Sequence, residues 1–305
     1  MSPRWPNGLI LAALAVAGAA SGQSSREGEG GEAESEILVT GRQAIDRREF
    51  ERTVEAFVKD LGQPGPINRI SRWGEPLCPS AMGLSEAFNA FVEERIRQVA
   101  IEAGAMAADD CDGRSNVLVI FTDRPHEFMA DVRRNHPGLL GYHFVGQRAS
   151  VATFEPPMKS WYVTKTASPG AYEAIDHAYG PTPPTGTGSL IRPAYQSRFA
   201  FVLIVVDAAS VENREVGPIA DKIAMLALSN PGERDGCSPL PSVLDLLDPA
   251  CEVGQAVDGL TAYDQSYLKA LYRFDGDELK GFMRETIAGK IVDDLLPLAK
   301  RDSER

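Results

Sequence analysis

Asp221 stands inside a strongly apolar helical run, IADKIAMLALSNP, from Ile219 to Pro231. A carboxylate there has two readings: the working group of a metal-independent hydrolase, or a first-turn charge favoured by the positive end of the helix dipole. The other groups able to do chemistry are sparse. The sequence has four histidines, His126, His136, His143 and His177, and none lies four residues from another. The segment DDCDGRSN sets Asp110, Asp112 and Asn116 around Gly113, in the manner of a calcium loop, but without the closing glutamate such a loop needs. Turn chemistry leading into a strand is the plainer expectation. GPTPPTGTGS has no strand-then-helix context for a phosphate loop, and no nucleophile elbow or dinucleotide fingerprint occurs.

The four cysteines are Cys78, Cys111, Cys237 and Cys251. Three pairings are possible. Cys237 and Cys251 bracket the Pro-rich loop CSPLPSVLDLLDPAC, whose closure is worth roughly 3 kcal/mol in the chain-entropy model. The preferred pattern is therefore Cys237 with Cys251 and Cys78 with Cys111. A four-cysteine zinc site is the rival, disfavoured because no C-x-x-C spacing is present. Oxidised cysteines offer no thiolate nucleophile.

The elements that must position these groups are legible from periodicity. Residues 44–60 place Phe50, Val54, Phe57 and Val58 on one helical face, and GQPGP stops that helix. NRISRWGEPLC reads as a strand and turn. Ser85 can cap a helix with Phe88, Phe91, Val92, Ile96 and Val99 along one face, ending near Gly104. NVLVIF (116–121) and FAFVLIVV (199–206) are apolar without alternation, as strands covered on both faces are, and become the two buried central strands. A helix from His126 to Arg134 and a strand at SWYVTKT lie between them, followed by a long irregular Pro/Gly/Thr-rich region that suits a lid or binding loop. The last third is helical: Val216 to Leu228, a turn at Ser242 to Leu247, Tyr263 to Tyr272, and Asp277 to Leu295. In the first of these, Val216, Ile219, Ile223 and Leu226 make the core face beside a strip formed by Ala220, Ala224 and Ala227. The expected fold class is α/β or α+β: a mixed sheet, flanking helices, a helical C-terminal third and disulfide staples.

The chain begins with one cation, Arg4, and an uncharged apolar run from Leu9 to Ala20, the pattern of a secretory signal peptide over 1–22. The run is shorter than the about 20 residues a membrane-spanning helix needs. Residues 23–36 read as a disordered acidic Gly/Ser/Glu leader, and 37–305 as a single α/β domain or two lobes joined near 166–198. The expected location is periplasmic or secreted. A net charge of −12 without a basic stripe argues against nucleic acid as a partner.

Three sets of residues carry resemblances. Leu226, Leu228 and Asn230 match the x-L-G-L-x-N that follows H-E-x-x-H/Q in zincin-like secreted domains. Ala220 and Ala224 stand where that resemblance would put the zinc ligands, and Asp221 where it would put the general base. Alanine has no lone pair for a metal, so the resemblance implies a pseudo-peptidase with no metal and no cofactor. FVLIVVD, IADKIAMLAL, SVLDLL and LTAYDQSYLKALY together resemble an uncharacterised family of exported alphaproteobacterial proteins. EILVTG, Glu36 to Gly41, resembles the short box by which outer-membrane receptors engage an energy-coupling periplasmic protein through strand addition, although an edge strand of the domain explains it as well. The functional expectation is a secreted or periplasmic non-catalytic protein, a degenerate zincin-like scaffold used for binding an unknown protein or envelope component. The cleft would lie between the strand at 199–206, the helix at 216–228 and the Pro/Gly loop. The alternatives are a metal-independent hydrolase with a site near Asp221, and an envelope docking module acting through Glu36–Gly41.

Overall fold

A computed structural model of the chain describes residues 46–65, 68–111, 113–167, 173–175, 196–232, 236–251, 257–273 and 280–304. The signal-like segment, the acidic leader, Glu36–Gly41, His177 and most of the Pro/Gly/Thr-rich region lie outside the described residues. Residues 42–305 belong to one compact unit.

Among the described residues, five strands form one mixed sheet. Its order is β1 (Pro79–Met82), β2 (Val117–Thr122), β5 (Gln196–Asp207), β3 (Met158–Ala167) and β4 (Glu173–Ile175). The first three run parallel, β3 runs antiparallel to β5, and β4 antiparallel to β3. The expected mixed α/β architecture is therefore what the chain adopts. The unalternating apolar runs are explained by the layers. Val117, Val119, Phe121, Val202, Ile204 and Val206 enter one core, while Ile120, Leu203 and Val205 enter the other. Both faces of β2 and β5 are covered, so no position can be polar at low cost.

The larger core lies under α1 (Arg47–Leu61), α2 (Glu86–Ala103), α5 (Val216–Leu228), α6 (Ala262–Tyr272) and α7 (Lys280–Glu304). The smaller lies under α3 (Pro125–Asn135), a 3₁₀ turn at Pro137–Leu140, and the single-turn α4 (Arg148–Val151). Helix ends follow local chemistry. Asp46 accepts the Arg48 amide at the start of α1, Ser85 accepts the Phe88 amide at the start of α2, and Gly104 takes φ 92° to close α2.

The structure corrects several expectations. NRISRWGEPLC forms no strand; it makes isolated bridges, Ile70 to Pro64, Arg72 to Arg198 and Leu77 to Ala107, and the strand is the following PSAM. Four residues without an apolar run give no periodic signal; parallel pairing with β2 makes them a strand. The region read as irregular contains β4. On α2 the buried face turns away from Phe88 and Phe91, which are 51% and 44% exposed, toward Ala100 and Ala103. Ala103 borders Leu268 and Lys269 of α6. The last helix continues through Pro297 to Glu304 rather than stopping at Leu295.

Helix α5 is not one-faced. Every residue from Ile219 to Leu228 is buried. A helix end inside a core leaves carbonyls that water cannot reach, and each must find a donor. Ser229 Oγ donates to Met225 O, Tyr162 Oη to Leu226 O, Trp73 Nε1 to Ala227 O and Tyr272 Oη to Leu228 O. Four side chains from four segments thus cap the end of the central helix.

Candidate functional site

Ala220 and Ala224 have no exposed surface and belong to the main core. The face where zinc ligands would stand is packed shut, and a side chain there meets other side chains rather than a cleft.

Asp221 follows Val216 by five positions, so it lies beyond the first turn of α5, which contains no acid. The dipole expectation is corrected accordingly. Oδ1 accepts Arg95 Nε of α2 at 2.5 Å, and Oδ2 accepts the Leu260 amide at 3.0 Å. Gly259, at φ +153°, lies so close that an added Cβ would sit 2.4 Å from Oδ2. Asp221 does face a depression of about 620 Å³ with Asp258 and Thr261 in its wall. Its two oxygens are nevertheless turned to structural donors, and the carboxylate ties α5 to α2 and to the turn before α6. The next residue, Lys222, donates Nζ to Leu244 O and to Leu246 O, fixing the 3₁₀ turn Val243–Asp245 against α5.

The cysteines pair as preferred: Cys78 with Cys111 and Cys237 with Cys251, with Cα separations of 5.6 and 5.4 Å. Asp245 accepts the Ser238 amide and so holds the second loop from inside. In the calcium-like segment, Asp112 lies outside the described residues. Asn116 accepts the Cys78 amide and donates to Pro76 O, which joins the segment before β1 to the start of β2. That is a structural clamp, not a ligand. His126 meets the Phe154 ring edge-on, His136 is exposed before a 3₁₀ turn, and His143 is buried with Nδ1 at 2.8 Å from Gly141 O. Among the described residues, no three His, Cys, Asp or Glu side chains gather as a metal site.

A buried acid that the sequence reading passed over is Asp264. It sits at the third position of α6 with no exposed surface, and accepts from Ser242 Oγ (2.6 Å), the Val243 amide (2.8 Å) and the Thr261 amide (3.0 Å). Its signal was present in T-x-x-D before an apolar run, a capping box with Thr261. Burial pushes its carboxyl above the usual carboxylate range, against the pull of these donors. A raised folded-state pKa means the stability carried by the neutral form is complete in acid and falls as pH rises through the raised value. Asp264→Asn cannot ionise, so it should flatten that fall; urea midpoints of both proteins at acid, neutral and alkaline pH measure it.

A larger concavity among the described residues lies elsewhere. A cavity of about 840 Å³ is bounded by the start of β3 (Met158 to Ser160, and Tyr162), by Lys222 and Leu226 of α5, and by Leu244 to Pro249. A second, of about 580 Å³, opens on the other face of the same strand, against Leu140, Tyr142, Ser150 and Val151. Both are lined by Lys159, Ser160, Tyr162 and Asn230. They form one groove that wraps the outer edge of β3. The expected cleft beside 199–206 is thus displaced: β5 is interior, and the wall is β3.

Among the described residues β4 pairs with β3 at Lys165 to Ala167, and Met158 to Tyr162 pair with β5. The Asp207 amide donates to Pro157 O directly across the ladder. Antiparallel pairs alternate, so Lys159, Trp161 and Val163 also bond inward to β5, whereas Met158, Ser160 and Tyr162 turn their amides and carbonyls into the groove. Gly141 closes one end, its Cα packed against Tyr162 O. Tyr162 Oη accepts from Ser160 Oγ and donates to Leu226 O, and burial pushes its hydroxyl up, so it serves the groove as a hydrogen-bonding wall rather than a base. Sequence periodicity found β3.

Compared with protein-family models, curated proteins and solved structures, the chain matches none.

Proposed function

We propose that the protein is an exported, non-catalytic binding protein of the periplasm or extracellular space, and that its seat is the groove along β3. The observation that carries this reading is that two of the described concavities, of about 840 and 580 Å³, share Lys159, Ser160, Tyr162 and Asn230, so polar groups from one strand converge on a single space. The export assignment is supported by two disulfides and by the signal-like N-terminal sequence. Among the described residues, no helix is long and apolar enough to cross a membrane. The non-catalytic assignment is supported by alanines without accessible surface at positions 220 and 224, and by the engagement of Asp221 with Arg95 and Leu260. The partner is a protein or other envelope component, as the acidic chain offers no phosphate-binding stripe.

A photo-reactive amino acid placed at Glu155, in the groove wall, and separately at exposed Glu49 on α1, tests the seat in cells exporting the protein. A discrete adduct at position 155 and none at 49 is expected. Equal labelling at both, or none at 155, contradicts the reading.

A further inference from the structure

We infer that the loop from Gly141 to Gln147 is a membrane-contacting tip: Phe144 and Val145 enter the surface of a bilayer that carries anionic phospholipid, and nearby arginines hold its phosphates. This goes beyond the groove reading and does not depend on it. Val145 is 66% and Phe144 58% exposed, and the Tyr142 ring stands edge-on to that of Phe144 with centroids 5.7 Å apart. Adjacent apolar side chains held out into water form a patch rather than scattered surface residues, and a patch marks a contact. The turn itself fixes them there. Val145–Gln147 is a single 3₁₀ turn, whose Gln147 amide donates to Phe144 O at 2.8 Å while Gln147 Oε1 accepts the Phe144 amide at 3.1 Å. Ser150 Oγ donates to Gln147 O on one side, and on the other buried His143 has Nδ1 at 2.8 Å from Gly141 O. Both main-chain polar groups of Phe144 are thus engaged within the turn, so this residue can leave water without stranding them.

Charge selects the occupant. From Val132 to Phe154 the chain carries Arg133, Arg134 and Arg148 and no Asp, Glu or Lys, a formal +3 within a chain of −12. Arg133 and Arg134 are exposed in the last turn of α3, and half-buried Arg148 directly follows the tip. α3, the turn after it and α4 cover the smaller core, so the three arginines lie on one side of the sheet. The acids that flank this span are engaged: Glu127 with Arg124 at 3.4 Å, Asp131 with Asn135 Nδ2 at 2.7 Å, and Glu155 with Lys159 at 3.2 Å. Carboxylates more than about 10 Å away are screened at physiological salt, so the local sign decides attraction. Guanidinium groups pair with phosphate through parallel hydrogen bonds. Three are too few to track a nucleic-acid backbone, and two side chains on a turn fall well short of the ~800 Å² per partner of a standard protein interface. A bilayer surface supplies what both parts of the loop need: phosphate for the arginines, and hydrocarbon within about 5–10 Å of it for the apolar pair.

The test adds the full chain, carrying either Phe144→Trp or Phe88→Trp, to vesicles of phosphatidylethanolamine mixed with phosphatidylglycerol and to vesicles of phosphatidylcholine alone. Phe88, exposed at the start of α2, is the control. On the anionic vesicles the indole at 144 should shift to shorter wavelength and be quenched by brominated acyl chains, and the indole at 88 should do neither. Cosedimentation of the parent chain and further variants gives the partition coefficients. Phe144→Ser with Val145→Ser should lower partitioning roughly tenfold or more, and each of Arg133→Gln, Arg134→Gln and Arg148→Gln by about fivefold. Urea midpoints of these variants should stay near that of the parent, since none of the replaced side chains belongs to a core. An indole at 144 that does not shift overturns the inference, as do equal shifts at 144 and 88 or equal partitioning to the two kinds of vesicle. A dimer dissociated by Phe144→Ser with Val145→Ser would assign the tip to a second copy and overturn it as well. The groove reading keeps its own cross-linking test under each of these outcomes.

Discussion

Reduction of the two disulfides is expected to unfold the chain at ambient temperature. Cys237 and Cys251 are 14 residues apart and Cys78 and Cys111 are 33 apart. In the chain-entropy model closure of these loops contributes roughly 3 and roughly 4 kcal/mol. Their sum, about 7 kcal/mol, is comparable with the whole stability of an ordinary domain, about 5–15 kcal/mol. The two bridges also hold specific parts. The first ties the entry to β1 to the turn before β2, where Cys78 O accepts the Asn116 amide. The second holds the Pro-rich loop that forms one wall of the groove. Urea titrations of the oxidised protein, of the reduced protein and of the two paired Cys→Ser variants measure the effect. Each paired variant should lose stability, with the reduced protein lowest; an unchanged midpoint on reduction would show that the bridges constrain little. The same dependence requires folding in an oxidising compartment.

Asp221→Ala is expected to cost about 3–5 kcal/mol, the range for removing one partner of a buried ion pair. The Arg95 side chain is only 27% exposed and Asp221 11%, so little water can replace the lost carboxylate. The Leu260 amide loses its acceptor as well, and the turn at Gly259, whose backbone conformation brings it against Asp221, loses its anchor. The double variant Arg95→Ala with Asp221→Ala should recover part of the loss, because no charge is then stranded. Equilibrium unfolding of the three proteins gives the coupling. Were Asp221 the base of a hydrolase, Asp221→Asn would abolish turnover of a peptide or ester substrate at nearly unchanged stability. The ion pair leads to the opposite expectation: a loss of stability, and no turnover in the parent protein to abolish.

How much of this could be read from the amino-acid sequence depends on where each signal is stored. The apolar runs of β2 and β5 announce burial on both faces, and the end of α5 is legible because the apolar run Ile223 to Leu228 stops at Ser229, Asn230 and Pro231. The disulfide pattern follows from loop size. What stayed hidden depends on partners far along the chain. PSAM is a strand only because Val117 to Ile120 lie beside it. On α2 the expected stripe is buried at Val92, Ile96 and Val99 but not at Phe88 and Phe91, and the burial of Ala100 and Ala103 had no signal in their own side chains. Asp221 was visible as an unusual acid, yet its meaning came from Arg95 and Leu260, 126 positions before it and 39 after. The groove was the least legible part. Its wall is assembled from residues far apart in the chain, among them Gln63, Ser160, Lys222 and Pro249, and nothing in SWYVTKT encodes those neighbours.

The physical claim under the functional reading is that Met158, Ser160 and Tyr162 turn their backbone groups away from β5 and toward the groove. Residue-resolved amide hydrogen exchange on the free protein tests this without any ligand. Along β3 an alternating pattern is expected, with Lys159, Trp161 and Val163 protected and Met158, Ser160 and Tyr162 exchanging far faster. Uniform protection from Met158 to Val163 would mean that the edge is already paired, and the account of the groove as a binding seat would be contradicted.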